Sequence, residues 1–164
     1  MYSKIKPPTK KISKQAVKVW RMFEAIIHLI ILAVLFILLF ADGYFAWKVW
    51  IGWLLIGLIV LSLCHSVWSI IIEPVLLQRY WRYDVNEEFI QTKQGALYET
   101  HELIPMTKVQ SVRLDQGPLL RKYNLYSLSI GTMGSSHDIP AIPEDEAYEL
   151  RDKIAHFAKI KEVD

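Results

Sequence analysis

The run Ser135-Ser136-His137-Asp138 carries the letters of a nucleophilic triad: a hydroxyl, an imidazole and a carboxylate that could activate one another for acyl transfer. Neighbours in sequence rarely converge in triad geometry, and neither a GxSxG elbow nor a P-loop accompanies them. His101, His137 and His156 stand at no metal-ligand spacing, and Glu144-Asp145-Glu146 is better explained as the first turn of a helix. The single cysteine, Cys64, has no CxxC partner and cannot close an intrachain disulfide. No catalytic, cofactor-binding or metal site is expected, so the chain reads as a non-enzymatic protein. Two histidines raise a different question, because His28 and His65 lie inside long apolar runs, with Glu24 and Ser69 close by in sequence.

Those runs are the elements that must position them. From Met22 to Ala41 the ionisable residues are Glu24 and His28, both near the start. Roughly 20 residues at about 1.5 Å rise cover the ~30 Å hydrocarbon layer of a bilayer. A second run, Trp50 to Ile72, contains His65 as its titratable residue, and Glu73-Pro74 is expected to close it because proline cannot continue the backbone ladder. The first stretch is too long for a signal-peptide core, and Ala41-Asp42-Gly43 offers no A-x-A cleavage site. The residues outside the runs could not cover two helices that are apolar on every side. A transmembrane hairpin over residues 22–73 follows, with spans at 22–41 and 50–72.

Between the spans, Gly43 permits a turn, and Tyr44, Phe45, Trp47 and Trp50 suit the headgroup layer. Lys4, Lys6, Lys10, Lys11, Lys14, Lys18 and Arg21 precede the first span, and Arg79 and Arg82 follow the second, against Lys48 alone in the loop. Positive charge therefore places both termini in the cytoplasm of a multi-pass protein of the inner (plasma) membrane, and residues 1–21 read as a basic tail that signals topology. Folding the hairpin about Trp47 sets His28 opposite His65 and Glu24 opposite Ser69. Both histidines would lie roughly 9 to 10 Å from the cytoplasmic face by helix rise, where an unpaired imidazole is costly. An interhelical hydrogen bond of about 0.6 to 2 kcal/mol that fixes register is the favoured role. A proton or metal site is the alternative, but no further acids continue a path across the membrane.

Beyond Pro74 the pattern changes to short alternating runs separated by turn residues, which is how a half-buried antiparallel sheet reads. Trp81, Tyr83 and Val85 alternate with charged neighbours, Phe89 to Thr92 follows, and Lys93-Gln94-Gly95 is expected to turn the chain into a strand from Ala96 to Leu103. Thr107 to Leu114 needs a bulge, because Val109 and Val112 are three apart. Leu119 to Tyr123 suits one helical turn. Tyr126, Leu128 and Ile130 alternate, and His137 to Ile142 forms the last strand. From Glu144 to Ile160, Ala147, Leu150, Ile154, Phe157 and Ala158 recur at helical spacing, with acids first and lysines near the end. The stripe must pack on the sheet, giving an α+β domain over residues 79–160.

Three stretches carry a resemblance: Ile104-Pro105-Met106-Thr107-Lys108-Val109-Gln110-Ser111-Val112, then Gln116-Gly117-Pro118-Leu119-Leu120-Arg121-Lys122-Tyr123-Asn124-Leu125, then Ser129-Ile130-Gly131-Thr132-Met133-Gly134. In order and spacing, over about residues 80 to 157, the chain resembles the bacterial PH-domain membrane family of the YdbS and YdbT type, whose short members also begin with two membrane helices. Asn124 stands where that family usually has glycine, and asparagine tolerates positive φ. The resemblance implies a PH-like antiparallel β-sheet or barrel capped by a C-terminal helix, and a complex with a larger membrane protein of the same family. It implies no known reaction, and points to envelope stress or resistance to membrane-active peptides.

From Arg79 onward 11 Lys/Arg face 14 Asp/Glu, which makes the soluble part mildly acidic and disfavours nucleic acid. The leading reading is a membrane-anchored interaction module with the lipid bilayer and a larger family member as partners, a homo-oligomer being the other assembly. Leu119, Leu120, Arg121 and Lys122 are the candidate partner contact, unless the leucines pack the core. The competing reading is a lipid-binding module at the cytoplasmic membrane surface. Asn86-Glu87-Glu88 in the loop where PH domains elsewhere hold phosphate argues against inositol phosphates, although the basic tail could hold anionic lipid.

Overall fold

A computed structural model describes residues 6–96 and 98–158. Lys4, Leu97 and the expected end of the last helix, with Lys159, Ile160 and Lys161, fall outside them. The chain divides into two compact units: Lys18–Val75, and the segment up to Val17 together with Leu76 onward.

In the first unit, α1 (Ala16–Phe45) and α2 (Val49–Val67) are joined across a reversal at Ala46, whose φ is +48°. The helical stretches Ala16–Phe45 and Val49–Tyr80 are long and apolar enough to cross a membrane. Their apolar side chains stay largely uncovered: Leu29 is 70% exposed, Phe40 78% and Trp53 71%. A helix of that composition is stable in hydrocarbon, which needs no covering layer.

The second run does not close at Glu73-Pro74. After α2 the backbone widens into a π turn over Trp68–Ile72, where the Glu73 N–H donates to the Trp68 carbonyl, and α3 (Glu73–Tyr80) then carries the helix on. Pro74 has no N–H to offer the Ile70 carbonyl four residues back, and its ring would crowd that oxygen. The π turn eases the crowding, and Arg21 supplies a donor in place of the proline's: Nε donates to the Ile70 oxygen at 3.1 Å, while Nη2 donates to that of Ile71 at 3.3 Å. Both helices thus overrun the expected limits of 22–41 and 50–72, because helix propagation does not stop where hydrophobicity does.

The second unit holds two antiparallel sheets. One runs β1-β2-β3-β4, from β1 (Lys10–Lys11), β2 (Arg82–Val85), β3 (Phe89–Gln94) and β4 (Thr100–Pro105). The other runs β5-β6-β7, from β5 (Val109–Asp115), β6 (Leu125–Thr132) and β7 (Ser136–Pro143). A 3-10 turn (Met106–Lys108) joins β4 to β5, and α4 (Pro118–Lys122) joins β5 to β6. The expected strand at Ala96 to Leu103 begins only at Thr100, because β3 runs on to Gln94 and Gly95 turns at φ +105°.

Pairing of β5 with β6 shifts between Val109 and Ser111, the bulge that the Val109–Val112 spacing requires. Pairing of β6 with β7 shifts between Tyr126 and Leu128, next to Ala141 at φ +52°. That irregularity makes Leu125, and not Tyr126, the inward companion of Leu128 and Ile130. Asn124 sits at φ +50°, a conformation its short polar side chain tolerates. Ile90, Leu128, Ile130, Ile139 and Ile142 are fully buried, and α5 (Glu144–Ala158) lies on β5, β6 and β7 through Ala147, Leu150 and Ile154.

The segment read as a tail is, from Lys10 to Ala16, part of this unit. Lys10 and Lys11 pair with Tyr83 and Arg82. Ile12 and Ala16 are buried, the Ser13 N–H donates to the Ala141 carbonyl at 3.2 Å, and Gln78 Nε2 donates to the Ile12 carbonyl at 3.3 Å. A two-residue strand at this edge satisfies backbone groups of β2 that would otherwise stay open.

Candidate functional site

Several groups of polar residues among those described could carry chemistry. Within the helical unit, His28 of α1 is 6% exposed and its Nε2 lies 2.9 Å from Ser69 Oγ in the π turn. His65 Nδ1 lies 3.4 Å from the same nitrogen, with ring centroids 5.3 Å apart. Glu24 Oε2 is 4.0 Å from His28 Nε2, one helical turn away. Thus Glu24, His28, His65 and Ser69 are brought together, with His28 at the centre. The expected pairing of Glu24 with Ser69 is indirect, through the imidazole.

The buried polar atoms favour one polarity for this cluster. His28 Nδ1 is buried without a hydrogen-bond partner. A buried orphan N–H is rarer and costlier than a buried lone pair, so the proton belongs on Nε2 and donates to Ser69 Oγ. In that arrangement His65 Nδ1 meets His28 with its lone pair, which puts the ring proton of His65 on Nε2. Among the described residues no three His, Cys, Asp or Glu side chains are placed to hold a metal ion.

In the second unit, the triad letters converge, with a different acid. Ser135 Oγ lies 2.8 Å from His137 Nε2, and His137 Nδ1 lies 2.9 Å from Glu102 Oε2 of β4. Asp138 instead bonds Ser129 Oγ, because adjacent residues of a strand face opposite sides. The Ser135 hydroxyl is shared with Thr132 Oγ1 at 2.9 Å across the β6–β7 hairpin, so the chain of bonds ties β4, an edge strand of one sheet, to β7, an edge strand of the other. A cleft of about 600 Å³ opens beside it, lined by Ile104, Pro105, Lys108, Gln110 and Met133 among others. Sequence spacing could not reveal this network, since Glu102 and His137 are 35 residues apart.

At the loop where phosphate would be expected, Asn86 Oδ1 is occupied by the N–H groups of Glu88 and Phe89 at 3.2 and 2.9 Å. The shallow cleft there is lined by Val85, Asn86, Glu87, Glu88, Lys153 and Phe157, so two carboxylates flank one ammonium. Such a field repels phosphate. In α4, Arg121 and Lys122 are exposed while Leu119 and Leu120 are half-buried, each sharing itself between packing and surface. Nearby, the Tyr126 hydroxyl lies 3.3 Å from that of Tyr148, and this bond, ahead of other causes, pushes the Tyr126 phenol up to about 12. The buried Tyr83 hydroxyl donates to Glu146 Oε1 at 2.9 Å; burial and then that carboxylate raise its phenol far above the ordinary value. Lys10 Nζ reaches the same oxygen at 3.3 Å, so β1, β2 and α5 meet at one carboxylate.

These groups are joiners of elements, and the arrangement matches what comparison with known proteins finds. Residues 24–158 match the bacterial PH domain family, a match that takes in the helical hairpin as well as the sheets. The transmembrane protein YdbS of Bacillus subtilis (strain 168) is 36% identical over 157 residues, covering 96% of this chain and 97% of its own length. No solved structure matches. With two helices able to cross a membrane, two antiparallel sheets and a closing C-terminal helix, the chain belongs to the bacterial PH domain family as a membrane-associated PH-like protein.

Proposed function

We propose that this protein is a non-enzymatic, membrane-anchored interaction module. The α1–α2 hairpin spans the plasma (inner) membrane, both termini face the cytoplasm, and the PH-like unit joins a complex with a larger PH-domain membrane protein of the same family. One observation carries this reading: the convergent polar groups are engaged in bonds between elements, while the helical unit leaves a large apolar surface that only lipid or other helices can cover. The cations that precede the first apolar run and those at Arg79 and Arg82 after the second support the cytoplasmic placement. Envelope stress and resistance to membrane-active peptides are the settings in which such a complex would act.

Purification of the full chain from native membranes in mild detergent tests the reading. A larger PH-domain membrane protein should co-purify in fixed ratio. Recovery of the chain alone, or of copies of itself alone, would refute the hetero-complex. Lipid headgroup recognition is the weaker reading, since Glu87 and Glu88 occupy the loop that would have to hold phosphate.

A further inference from the structure

Along α2 and into the first residues of the π turn, two stripes run side by side about 100° apart, each repeating every three and four residues. One comprises Leu55, Ile59, Ser62, Ser66 and Ser69; Leu55, Ile59 and Ser69 are buried, and Ser69 bonds His28 of α1, so this stripe faces inside the hairpin. The other comprises Leu54, Leu58, Leu61, His65 and Trp68, and every one of them is exposed. Three apolar residues and a tryptophan at this spacing form a seam suited to a neighbouring helix. His65 makes it more than a lipid-facing surface.

His65 stands about 24 Å along the helix from Val49 at 1.5 Å per residue, inside a ~30 Å hydrocarbon layer. Its Nδ1 is turned to His28, and among the described residues its Nε2 has no partner. Ionisable side chains at such depth face a bundle interior, not lipid. With the proton on Nε2, as argued above, that N–H is left without an acceptor among the described residues.

We infer that the Leu54–Leu58–Leu61–His65 stripe of α2, continued by Trp68 of the π turn, is the docking seam for a transmembrane helix of another polypeptide, one that presents a side-chain acceptor to His65 Nε2–H. The occupant follows from the proton count already made for His28. A second copy packed symmetrically on the same stripe would oppose two Nε2–H donors, which repel, whereas an amide, hydroxyl or carboxylate oxygen on a different helix completes the bond. The inference rests on the hetero-complex reading and adds to it where the partner sits and what it must carry. It also gives the His28–His65–Ser69 cluster a task, since a bonded His28 holds the His65 ring with its donor facing out.

The test places a benzophenone amino acid at position 61, on the stripe, or at position 63, which is also exposed but lies about 160° farther round the helix. Full-length chains are irradiated in native membranes. Position 61 should give a discrete adduct with the larger membrane protein, mapped to a peptide within one of its apolar spans that contains an oxygen-bearing side chain; position 63 should not. His65→Leu should lower the adduct yield roughly three- to twenty-fold, the range one interhelical hydrogen bond supports, and His65→Gln should restore most of it. Equal yields from both positions, an adduct with a second copy of this chain, or a yield unchanged by His65→Leu would each overturn the inference. If the partner co-purifies with the unmodified chain while position 61 gives no adduct, the seam is wrong and the complex stands. If nothing co-purifies and nothing is cross-linked, both fall.

Discussion

Tyr83 shows how a single side chain can report on the packing of three elements. Its phenol is buried against Glu146, whose carboxylate also holds Lys10, so a proton on the phenol is favoured in the folded chain over the unfolded one. A group whose folded value is raised adds stability that is complete below its unfolded value, about 10 for tyrosine, and that disappears as pH rises above it. Unfolded chains lose the proton first, so the slope of stability against pH is negative there. The stability of the soluble unit is expected to fall from about pH 10 upward, and Tyr83→Phe should flatten that fall while lowering stability near neutrality by about 1 kcal/mol. Thermal melts of the full chain in detergent across pH 8 to 11, followed by near-ultraviolet dichroism, measure both effects; a fall of unchanged steepness in the variant would contradict the assignment.

At the scale of elements, the π turn and the N-terminal strand are the two features on which the arrangement turns. Arg21 answers the Ile70 acceptor that Pro74 leaves open, so the two residues are expected to be thermodynamically coupled although they are 53 positions apart in sequence. Arg21→Ala should cost about 1 to 2 kcal/mol by itself, and clearly less in a Pro74→Ala background, where position 74 regains an N–H for the Ile70 carbonyl. A double-mutant cycle on detergent-phase melting temperatures reads the difference, and additive losses would show that the guanidinium does not replace the proline's missing donor. Ile12 is 2% exposed beside a strand only two residues long, so its side chain anchors the segment more than its backbone pairing does. Ile12→Ala should cost about 2 to 4 kcal/mol and expose the Lys10–Lys14 segment to trypsin. A protease-resistant segment in that variant would mean that β1 holds itself.

For the molecule as a whole, the contrast between the two units separates anchoring from recognition. The PH-like unit bonds several of its polar groups internally, among them a Ser135–His137–Glu102 chain with triad-like distances. Triad catalysis also needs donors aimed at an oxyanion, and here the serine hydroxyl is already shared with Thr132 across its own hairpin. A fluorophosphonate probe is therefore expected to leave Ser135 unlabelled in the full-length protein. Labelling that disappears in His137→Ala would move the protein among the hydrolases. The same network has a plain mechanical use, because it closes the gap between edge strands of the two sheets beside the 600 Å³ cleft.

How much of this was legible beforehand follows the range of the forces involved. Hydropathy over twenty-residue windows, strand alternation and helical spacing are local properties, so the two apolar helices, the order of the strands, the bulge near Val109 and the closing stripe Ala147, Leu150, Ile154 could all be read from residues near one another in the chain. The facing of His28 and His65 was also readable, because a tight hairpin fixes which positions can meet. Other features depend on register and on the path of the chain between distant segments: Lys10 and Lys11 beside β2, Glu102 instead of Asp138 beside His137, Leu125 instead of Tyr126 turned inward, and Arg21 on the carbonyls before Pro74. Each is decided by where an unsatisfied backbone or side-chain group finds its partner once the fold has closed. The sequence alone determined which segments leave water and which alternate; only the tertiary structure decided which polar groups meet, because a hydrogen bond is selective in space and indifferent to separation along the chain.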